Sequence, residues 1–275
     1  MRIQRSVVAV PARLASSRLP GKVLADIGGK PMIQRVLEQS AKALGPVDVV
    51  LCTDSVQLQR LACDWGFSVL MTSPDCSSGS ERIASVADQL VAKAWCETVD
   101  DWDPQVRKER LSSTAVINVQ GDQPFLDPGV VTDMVQEFCR ADPAPAVVTP
   151  VYRLTPPTIH NPAVVKTLLA HDGRALYFSR SAVPHVRDVN PEQWHEHTDY
   201  WGHVGMYGFR GDVLATWDQL PSSPLEDLER LEQLRLIEAG LTIATFPVTG
   251  TSLSVDTPDQ LDQARTMAHE EGTQK

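Results

Sequence analysis

The residue types that could do chemistry in this chain begin with a basic loop near the N-terminus. The segment "ARLASSRLPGKVLADIGGK", residues 12–30, contains one acid, Asp26, although the whole chain carries a formal charge of -10. Its basic residues are Arg13, Arg18, Lys22 and Lys30. Small residues between them let backbone N–H groups approach an anion, and the cations offset its charge. The pattern is neither a Walker A loop nor a G-x-G-x-x-G fingerprint. It is typical of a polyphosphate site, with a solvated basic loop as the alternative.

Two aspartates far apart in the sequence are candidates for the acidic side of such a site. Asp122 follows the apolar run of "VINVQGDQP" and so falls at the carboxyl end of a predicted strand, unless it only shapes a G-D-x-P turn. Asp256 precedes Thr257, which together with Gln260 predicts a capping box at the start of a helix. Because Thr257 fills the capping role, Asp256 is available for a ligand. The alternative is an ordinary acid before a helix.

Apolar runs alternate with amphipathic segments through the first half of the chain. The predicted strands are residues 6–11, 47–53, 67–72 and 114–120, and the predicted helices are residues 31–44, 55–65 and 80–92. This order implies βαβ crossovers, and hence an α/β fold with a mostly parallel twisted sheet covered by helices on both faces. Ligands of such sheets bind beyond the carboxyl ends of the strands, which is where the basic loop leaves the first strand.

Two later segments interrupt that alternation within what we expect to be a single domain spanning residues 1–275. Residues 93–113 are charged and weakly periodic, which predicts a surface excursion. Residues 150–220 contain two strand-like runs around Asp172 and Gly173, which predict a hairpin, and then the strand-like run "HVGMYGFR". We expect this second segment to form a small β-rich subdomain that covers the sheet edge and carries a dimer contact.

The composition disfavours several classes of function. The apolar fraction of 42% supports a sizeable core, and no apolar run reaches the roughly 18 residues of a membrane helix. The acidic balance disfavours nucleic acids and membrane surfaces as partners. The five cysteines are scattered without a C-x-x-C pair, which disfavours zinc and a disulfide framework. Because "MRIQRSVVAV" has no secretory signal pattern, we expect a cytoplasmic protein.

A series of segments along the chain carries a resemblance to a known family. In order, they are "PARLASSRLPGK", "GKPMIQRVLEQ", "SSGSERIA", "VINVQGDQP", "NPAVVK", "ALYFSRSAVP", "HVGMYGFR", "PLEDLERLEQLRLIEAG" and "VDTPDQL". Together they resemble the 3-deoxy-manno-octulosonate cytidylyltransferases, the CMP-Kdo synthetases, over nearly the whole chain except residues 93–113 and the last few residues.

The resemblance implies a Rossmann-like nucleotidyltransferase fold and a specific reaction. CMP would be transferred from CTP to the anomeric hydroxyl of 3-deoxy-D-manno-octulosonate (Kdo), with release of pyrophosphate, to activate Kdo for lipopolysaccharide synthesis. The small-molecule partners implied are therefore CTP and Kdo. The resemblance also implies a homodimer.

A nucleotidyl transfer of this kind needs Mg²⁺ to offset the charge of the triphosphate, and Mg²⁺ prefers one or two carboxylates together with substrate phosphates. Asp122 and Asp256 meet that need, and the resemblance implies the same metal pair. The predicted catalytic residues are Arg13, Arg18, Lys22, Asp122 and Asp256. The three cations would stabilise the charge that grows on the departing pyrophosphate. The family's usual "QGDEP" reads "QGDQP" here, so Gln123 stands in place of an acid.

The resemblance also implies where the two substrates bind. The predicted nucleotide-binding residues are Ala12, Arg13, Lys22, Ser78, Arg82 and Gln120. For Arg82 the alternative is an ordinary exposed position on a helix. The predicted sugar-binding residues are Arg180, His203, Tyr207, Glu226 and Gln233.

Spacing adds detail to the sugar-binding set. Arg180 could form a bidentate pair with the carboxylate of a sugar acid. His203 and Tyr207 lie four apart in a strand-like run, which would place both on one face. Glu226 and Gln233 lie seven apart, so on a helix they would project from one stripe and need polar partners if buried. A sugar would supply those partners, and structural hydrogen bonds are the alternative.

Two other functions compete with this interpretation. A cytidylyltransferase for another sugar acid, such as a sialic acid or an 8-amino Kdo analogue, would share most of the same motifs. A nucleotide-binding regulator without catalysis would lack one of the acids or the lysine named above. The sequence His195-Glu196-His197 matches no helical metal-binding motif and predicts a polar loop.

Overall fold

The computed structural model describes residues 2–15, 19–45, 48–250 and 253–273, of which residues 271–273 are described by their backbone only. The strands are β1 (Arg5–Ala12), β2 (Asp26–Ile27), β3 (Lys30–Pro31), β4 (Val49–Thr53), β5 (Ser68–Met71), β6 (Thr114–Asn118), β7 (Val147–Arg153), β8 (Lys166–Leu169), β9 (Ala175–Ser179), β10 (Trp201–His203), β11 (Tyr207–Arg210) and β12 (Ile243–Val248). The helices are α1 (Met32–Leu44), α2 (Val56–Asp64), α3 (Gly79–Ala84), α4 (Ala87–Trp95), α5 (Pro104–Ser112), α6 (Pro128–Arg140), α7 (Pro156–Ile159), α8 (Gly211–Leu214), α9 (Pro224–Glu229), α10 (Gln233–Glu238) and α11 (Pro258–Thr273).

Ten strands of the described chain form one mixed sheet. Its order is β5-β4-β1-β6-β11-β7-β10-β8-β9, and β12 pairs with β7. The four strands from the first half, β5, β4, β1 and β6, are mutually parallel, and β12 runs parallel to β7. The other pairings in this sheet are antiparallel. The α/β fold with helices around a central sheet is therefore confirmed, and the parallel group of β5, β4, β1 and β6 is built from the predicted strands.

The core lies on both faces of this sheet. Val8 and Val10 of β1 pack with residues of α1 and α6, whereas Val7 and Ala9 pack with residues of α3 and α4. Successive strand residues point to opposite faces, so a strand covered on both sides must be apolar throughout. This requirement explains the uninterrupted apolar run over residues 7–12 of β1.

The two segments that interrupt the alternation take defined structures. Residues 93–113 include α5, which contacts α4 and α8, and Leu111 is buried. The Arg110 guanidinium lies 4.0 Å from the centre of the Trp95 ring. The predicted hairpin is confirmed as β8 and β9, with Gly173 in the left-handed region at φ +83°. Strands β8 to β11 join the central sheet, so a subdomain within residues 150–220 shares that sheet with the rest of the chain.

Two predicted elements are divided in the structure. The helix expected over residues 80–92 is interrupted after Ala84, because Val86 leaves the helical region at φ -125° and begins α4. The run "HVGMYGFR" contributes to two strands, since β10 pairs with the end of β7 and β11 with its beginning. In the described residues, no helix combines the length and apolar character that a membrane crossing requires.

Candidate active site

A cavity of about 220 Å³ lies at the carboxyl ends of β1 and β6. Because these strands are parallel neighbours, the basic loop that follows β1 and the "QGD" segment that follows β6 meet at one edge of the sheet. Residues lining the cavity that were predicted from the sequence are Ala12, Arg13, Lys22, Ser78, Arg82, Gln120, Asp122 and Asp256. Arg18 lies outside the described residues. The structure thus brings together the predicted nucleotide-binding residues and the predicted metal pair.

At this cavity the backbone of Gly121, in the loop after β6, passes close to the backbone of Pro11 in β1. A Cβ atom added at Gly121 would lie 2.9 Å from the carbonyl oxygen of Pro11 and 3.2 Å from Cδ1 of Ile33. A glycine is therefore required for the β6 loop to pass the end of β1 at this distance. Gln123, which stands where the usual motif has an acid, is buried, and its Oε1 has no hydrogen-bond partner in the described part of the chain.

Lys22 joins the two predicted metal ligands. Its Nζ lies 2.7 Å from Oδ2 of Asp122 and 2.8 Å from Oδ1 of Asp256. Burial by itself lowers the pKa of the Lys22 ammonium, but the charges and hydrogen bonds of Asp122 and Asp256 outweigh that effect and raise the pKa. Lys22 therefore keeps its positive charge between Asp122 and Asp256 in the cavity wall.

The donor set at this position fits Mg²⁺. Asp122 and Asp256 supply carboxylate oxygens. One oxygen of each contacts the same atom, Nζ of Lys22, at 2.7 and 2.8 Å, so a single cation can contact both carboxylates. Within the described ranges, no group of three or more His, Cys, Asp and Glu residues is arranged to hold a metal. A pair of carboxylates that leaves other positions for phosphate oxygens and water is the usual protein contribution to a Mg²⁺–nucleotide site.

Arg82 is buried, so the exposed helix position considered for it from the sequence is wrong. Its side chain is 3% exposed and forms an ion pair of 3.1 Å with Asp54. It also donates to the hydroxyl of Thr72 and, at 3.3 Å, to the carbonyl of Ser73. These bonds attach α3 to the ends of β4 and β5. Ser78, whose hydroxyl caps α3 by accepting from the Glu81 N–H at 3.1 Å, is fixed in the cavity wall by the same helix.

A chain of polar side chains leads from the cavity into the protein. Gln120 donates to Asn118 at 3.4 Å, Asn118 donates to Ser80 at 3.4 Å, and the Ser80 hydroxyl donates to Glu232 at 2.6 Å. Burial is the main cause that raises the pKa of Glu232. Asn118 and Glu232 were missed by the sequence analysis. A polar residue inside the apolar run "TAVINV" was the available signal for Asn118.

His203 and Tyr207 come together although they belong to different strands. Their ring centroids are 5.2 Å apart, and the His203 ring also meets Phe178 at 5.1 Å. Burial lowers the pKa of His203 to about 3 and raises the pKa of Tyr207. Nε2 of His203 lies 3.0 Å from the hydroxyl of Thr149. The expected proximity is present, but the reasoning from one continuous strand was wrong, because residues 204–206 separate β10 from β11.

The helical stripe expected for Glu226 and Gln233 is also wrong. Arg230 adopts a left-handed conformation at φ 56°, which ends α9 before α10 begins. Glu226 pairs with Arg235 at 2.7 Å, which is a structural partner of the kind considered above. Gln233 is buried, and its Nε2 has no hydrogen-bond partner among the residues that the structure describes. A buried amide in this state has a donor available for a bound molecule.

Arg180 lies at the C-terminal end of β9. Its Nε donates to the carbonyl of Glu229 at 2.8 Å, and its backbone N–H donates to the Glu229 carboxylate at 2.9 Å. A further guanidinium nitrogen donates to the carbonyl of Pro162 at 3.2 Å. Arg180 and the other predicted sugar-binding residues are not part of the cavity wall at the ends of β1 and β6. Their role in sugar binding stays a prediction.

Comparison with known sequences places these features in context. A family model described as cytidylyltransferase matches residues 7–243. A 3-deoxy-manno-octulosonate cytidylyltransferase of Chlorobaculum tepidum is 37% identical over 268 residues, which cover 96% of this chain and 98% of the relative. The Escherichia coli protein of the same name is 36% identical over 269 residues, covering 98% of each chain.

A solved structure is similar to this chain in fold as well as in sequence. It is a CMP:2-keto-3-deoxy-manno-octonic acid synthetase complexed with CTP, and it superimposes with a TM-score of 0.82 at 36% identity. The match covers 98% of this chain and 100% of that chain.

Proposed function

The chain belongs to the cytidylyltransferase family, and we propose that it transfers the CMP group of CTP to the anomeric hydroxyl of Kdo with release of pyrophosphate. It is a nucleotidyltransferase by family. The observation that carries the proposed reaction is the position of Lys22 in the basic loop that follows β1, since its ammonium pairs with both Asp122 and Asp256 in the cavity wall. The relatives of similar length are named for the same sugar acid.

The reaction needs few groups from the protein. The oxygen of the sugar hydroxyl attacks the α-phosphorus and forms a new P–O bond while the hydroxyl proton passes to water. The bond between the α-phosphorus and the oxygen that bridges to the β-phosphate breaks, so pyrophosphate leaves with that oxygen. Arg13 and Lys22 line the cavity as cations, so they can bind the phosphates and stabilise the charge that grows on the leaving group. Orientation of the two substrates relative to each other would add to the acceleration.

Mg²⁺ would be held by Asp122 and Asp256, and when bound it supplies neutralisation of triphosphate charge. On the protein side, the cytidine ring and ribose would contact Ala12, Ser78 and Gln120 in the cavity wall. Arg82 would act by fixing α3 through its bond to Asp54, since its guanidinium already has protein partners.

We assign the sugar that accepts CMP to the region that begins at Gln120 and follows the polar side chains into the protein. The polar chain through Asn118, Ser80 and Glu232 leads toward α10, where Gln233 has a buried amide donor without a partner in the described chain. His203 and Tyr207 add ring nitrogen and hydroxyl groups suited to sugar hydroxyls. We extend the proposal to a homodimer that acts in the cytoplasm. Light scattering after size exclusion would test the dimer, because it measures the molar mass of the protein in solution.

A substrate panel tests the proposal. Pyrophosphate release should be measured with Mg²⁺ and CTP, ATP, GTP or UTP, each with Kdo, 8-amino-Kdo and N-acetylneuraminate. We expect kcat/KM for CTP with Kdo to exceed that of every other pair by at least about tenfold, because each mismatch leaves buried polar groups unpaired. A higher value with 8-amino-Kdo or N-acetylneuraminate would move the function to another sugar acid. Binding of CTP without release of pyrophosphate under any condition would favour a regulator.

A further inference from the structure

We propose that Lys22 is an internal substitute for the divalent cation, which holds the metal position in the free protein and leaves it for the triphosphate when metal and nucleotide bind. This inference rests on the proposed function, because it takes Asp122 and Asp256 as the metal ligands. It goes further by assigning Lys22 two successive positions and by predicting how metal and nucleotide binding depend on each other.

The hydrogen bonds of the Lys22 ammonium are all made within the protein. An ammonium has three N–H donors. Its three acceptors are Oδ2 of Asp122 at 2.7 Å, Oδ1 of Asp256 at 2.8 Å and the carbonyl oxygen of Val255 at 3.2 Å. No donor of Lys22 remains for a phosphate oxygen while these bonds persist. The lysine therefore has to move before it can act on a triphosphate.

The same bonds occupy the oxygens that a metal would use. Two carboxylates that lie close together repel each other unless a cation is between them. The ammonium of Lys22 supplies that cation, and its side chain is only 15% exposed. A divalent ion that arrives alone must break both ion pairs and leave the ammonium in a partly buried place without an anion. We therefore expect the free protein to bind metal weakly.

A nucleotide removes that obstacle. The triphosphate brings negative charge into the cavity that Lys22, Arg13 and both aspartates line. The displaced ammonium then gains a new anionic partner, and a flexible four-carbon stem lets it move without a change of backbone. Metal and nucleotide binding should thus be mutually favourable, and part of that coupling should depend on Lys22.

Binding of Mn²⁺ alone tests the inference. Mn²⁺ affinity would be measured by electron paramagnetic resonance without nucleotide, for the wild type and for Lys22→Met. We expect Lys22→Met to bind Mn²⁺ at least about tenfold more tightly, because the carboxylate pair is then without its ammonium. Asp122→Asn in the Lys22→Met background should remove that gain. An unchanged or lower affinity in Lys22→Met would overturn the inference.

Arg13→Met is the matched control for a general effect of charge. Arg13 lines the same cavity and carries the same charge, but its side chain is exposed. We expect its Mn²⁺ affinity to change by less than about threefold, because exposed charges are screened. An equal gain in Arg13→Met and Lys22→Met would reduce the effect to net charge and contradict occupation of the metal position.

Folding of the variants is checked by circular dichroism and thermal unfolding. If Lys22→Met does not fold, Lys22→Gln replaces it, since the amide NH₂ retains two N–H donors for the aspartates and lacks the charge; the same tenfold criterion applies. Wild-type turnover of CTP and Kdo separates the two proposals. Normal turnover together with unchanged Mn²⁺ affinity in the Lys22 variants rejects the substitute-cation role alone, whereas absent turnover rejects the proposed function.

Discussion

The backbone N–H of Val255 donates a hydrogen bond of 2.9 Å to the carbonyl oxygen of Asp122. This bond fastens the segment before α11 to the loop after β6, so that Asp256 and Asp122 face the same ammonium. The position of Asp256 is therefore fixed by backbone as well as by charge. Reciprocal bonds between Thr257 and Gln260 then start α11 immediately after it, as the capping pattern predicts.

Asp122→Asn should lower kcat for pyrophosphate release by about a hundredfold or more, because the amide removes one anionic ligand and weakens transition-state neutralisation. The matched control is Asp127→Asn on the same segment. Asp127 is exposed and caps α6 by accepting from the Gly129 N–H at 2.8 Å, a role that asparagine fills equally well. Equal rates for the two variants would remove Asp122 from the catalytic residues.

Arg82→Met should destabilise the protein by about 2 to 4 kcal/mol, because it leaves the partly buried Asp54 without its cation. Urea unfolding gives the free energy directly. Arg107→Met breaks a more exposed pair with Asp88, with side chains 47% and 26% exposed, and should cost less than about 1 kcal/mol. If the two variants lose similar stability, Arg82 does not have the structural role assigned to it.

Gly121→Ala should shift the loop that carries Asp122, because the added Cβ would lie 2.9 Å from the Pro11 carbonyl oxygen. Forced displacement of packed atoms typically costs about 1 to 3 kcal/mol. We expect kcat/KM for CTP to fall by about tenfold or more, since small misplacements of reacting groups are costly. Gly205→Ala, where an added Cβ meets nothing within 4 Å, should leave both stability and kcat/KM near the wild-type values.

His203 should make stability depend on pH below neutrality. Burial holds its pKa at about 3 in the folded protein, against about 6.5 unfolded. Between these values the unfolded chain binds one more proton, so this stability is complete above about pH 6.5 and is lost as the pH falls. From about pH 7 to about pH 5.5, His203→Gln should lose about 1 kcal/mol less unfolding free energy than the wild type. The exposed His171→Gln should follow the wild type, and identical pH slopes for all three proteins would refute the assignment.

Much of the parallel half of the sheet could be predicted because its signals are local. An uninterrupted apolar run such as β1 is required wherever a strand is covered on both faces. The hairpin at Gly173 and the cap at Thr257 follow from turn and capping chemistry within a few residues. These elements were found from the sequence because nothing distant is needed to form them.

The remainder depends on contacts that local patterns do not encode. Arg230 ends α9 at a positive φ, and no glycine or proline at this position predicts the end of the helix. The ion pair of Arg82 with Asp54 joins elements 28 positions apart, and the bonds of Lys22 to its two aspartates span 100 and 234 positions. Residue types suited to each role could be identified from the sequence, whereas direct contact between the lysine and the two aspartates arises only at the folded sheet edge.

The most direct test of the central claim follows the phosphorus atoms of CTP by ³¹P NMR during turnover with Mg²⁺ and Kdo. The proposed reaction predicts that the α-phosphorus signal becomes that of a sugar-linked phosphodiester while the β- and γ-phosphorus signals leave together as pyrophosphate, in equal amounts and only when Kdo is present. Loss of the γ-phosphate alone, or conversion of CTP to free CMP at the same rate without Kdo, would contradict it.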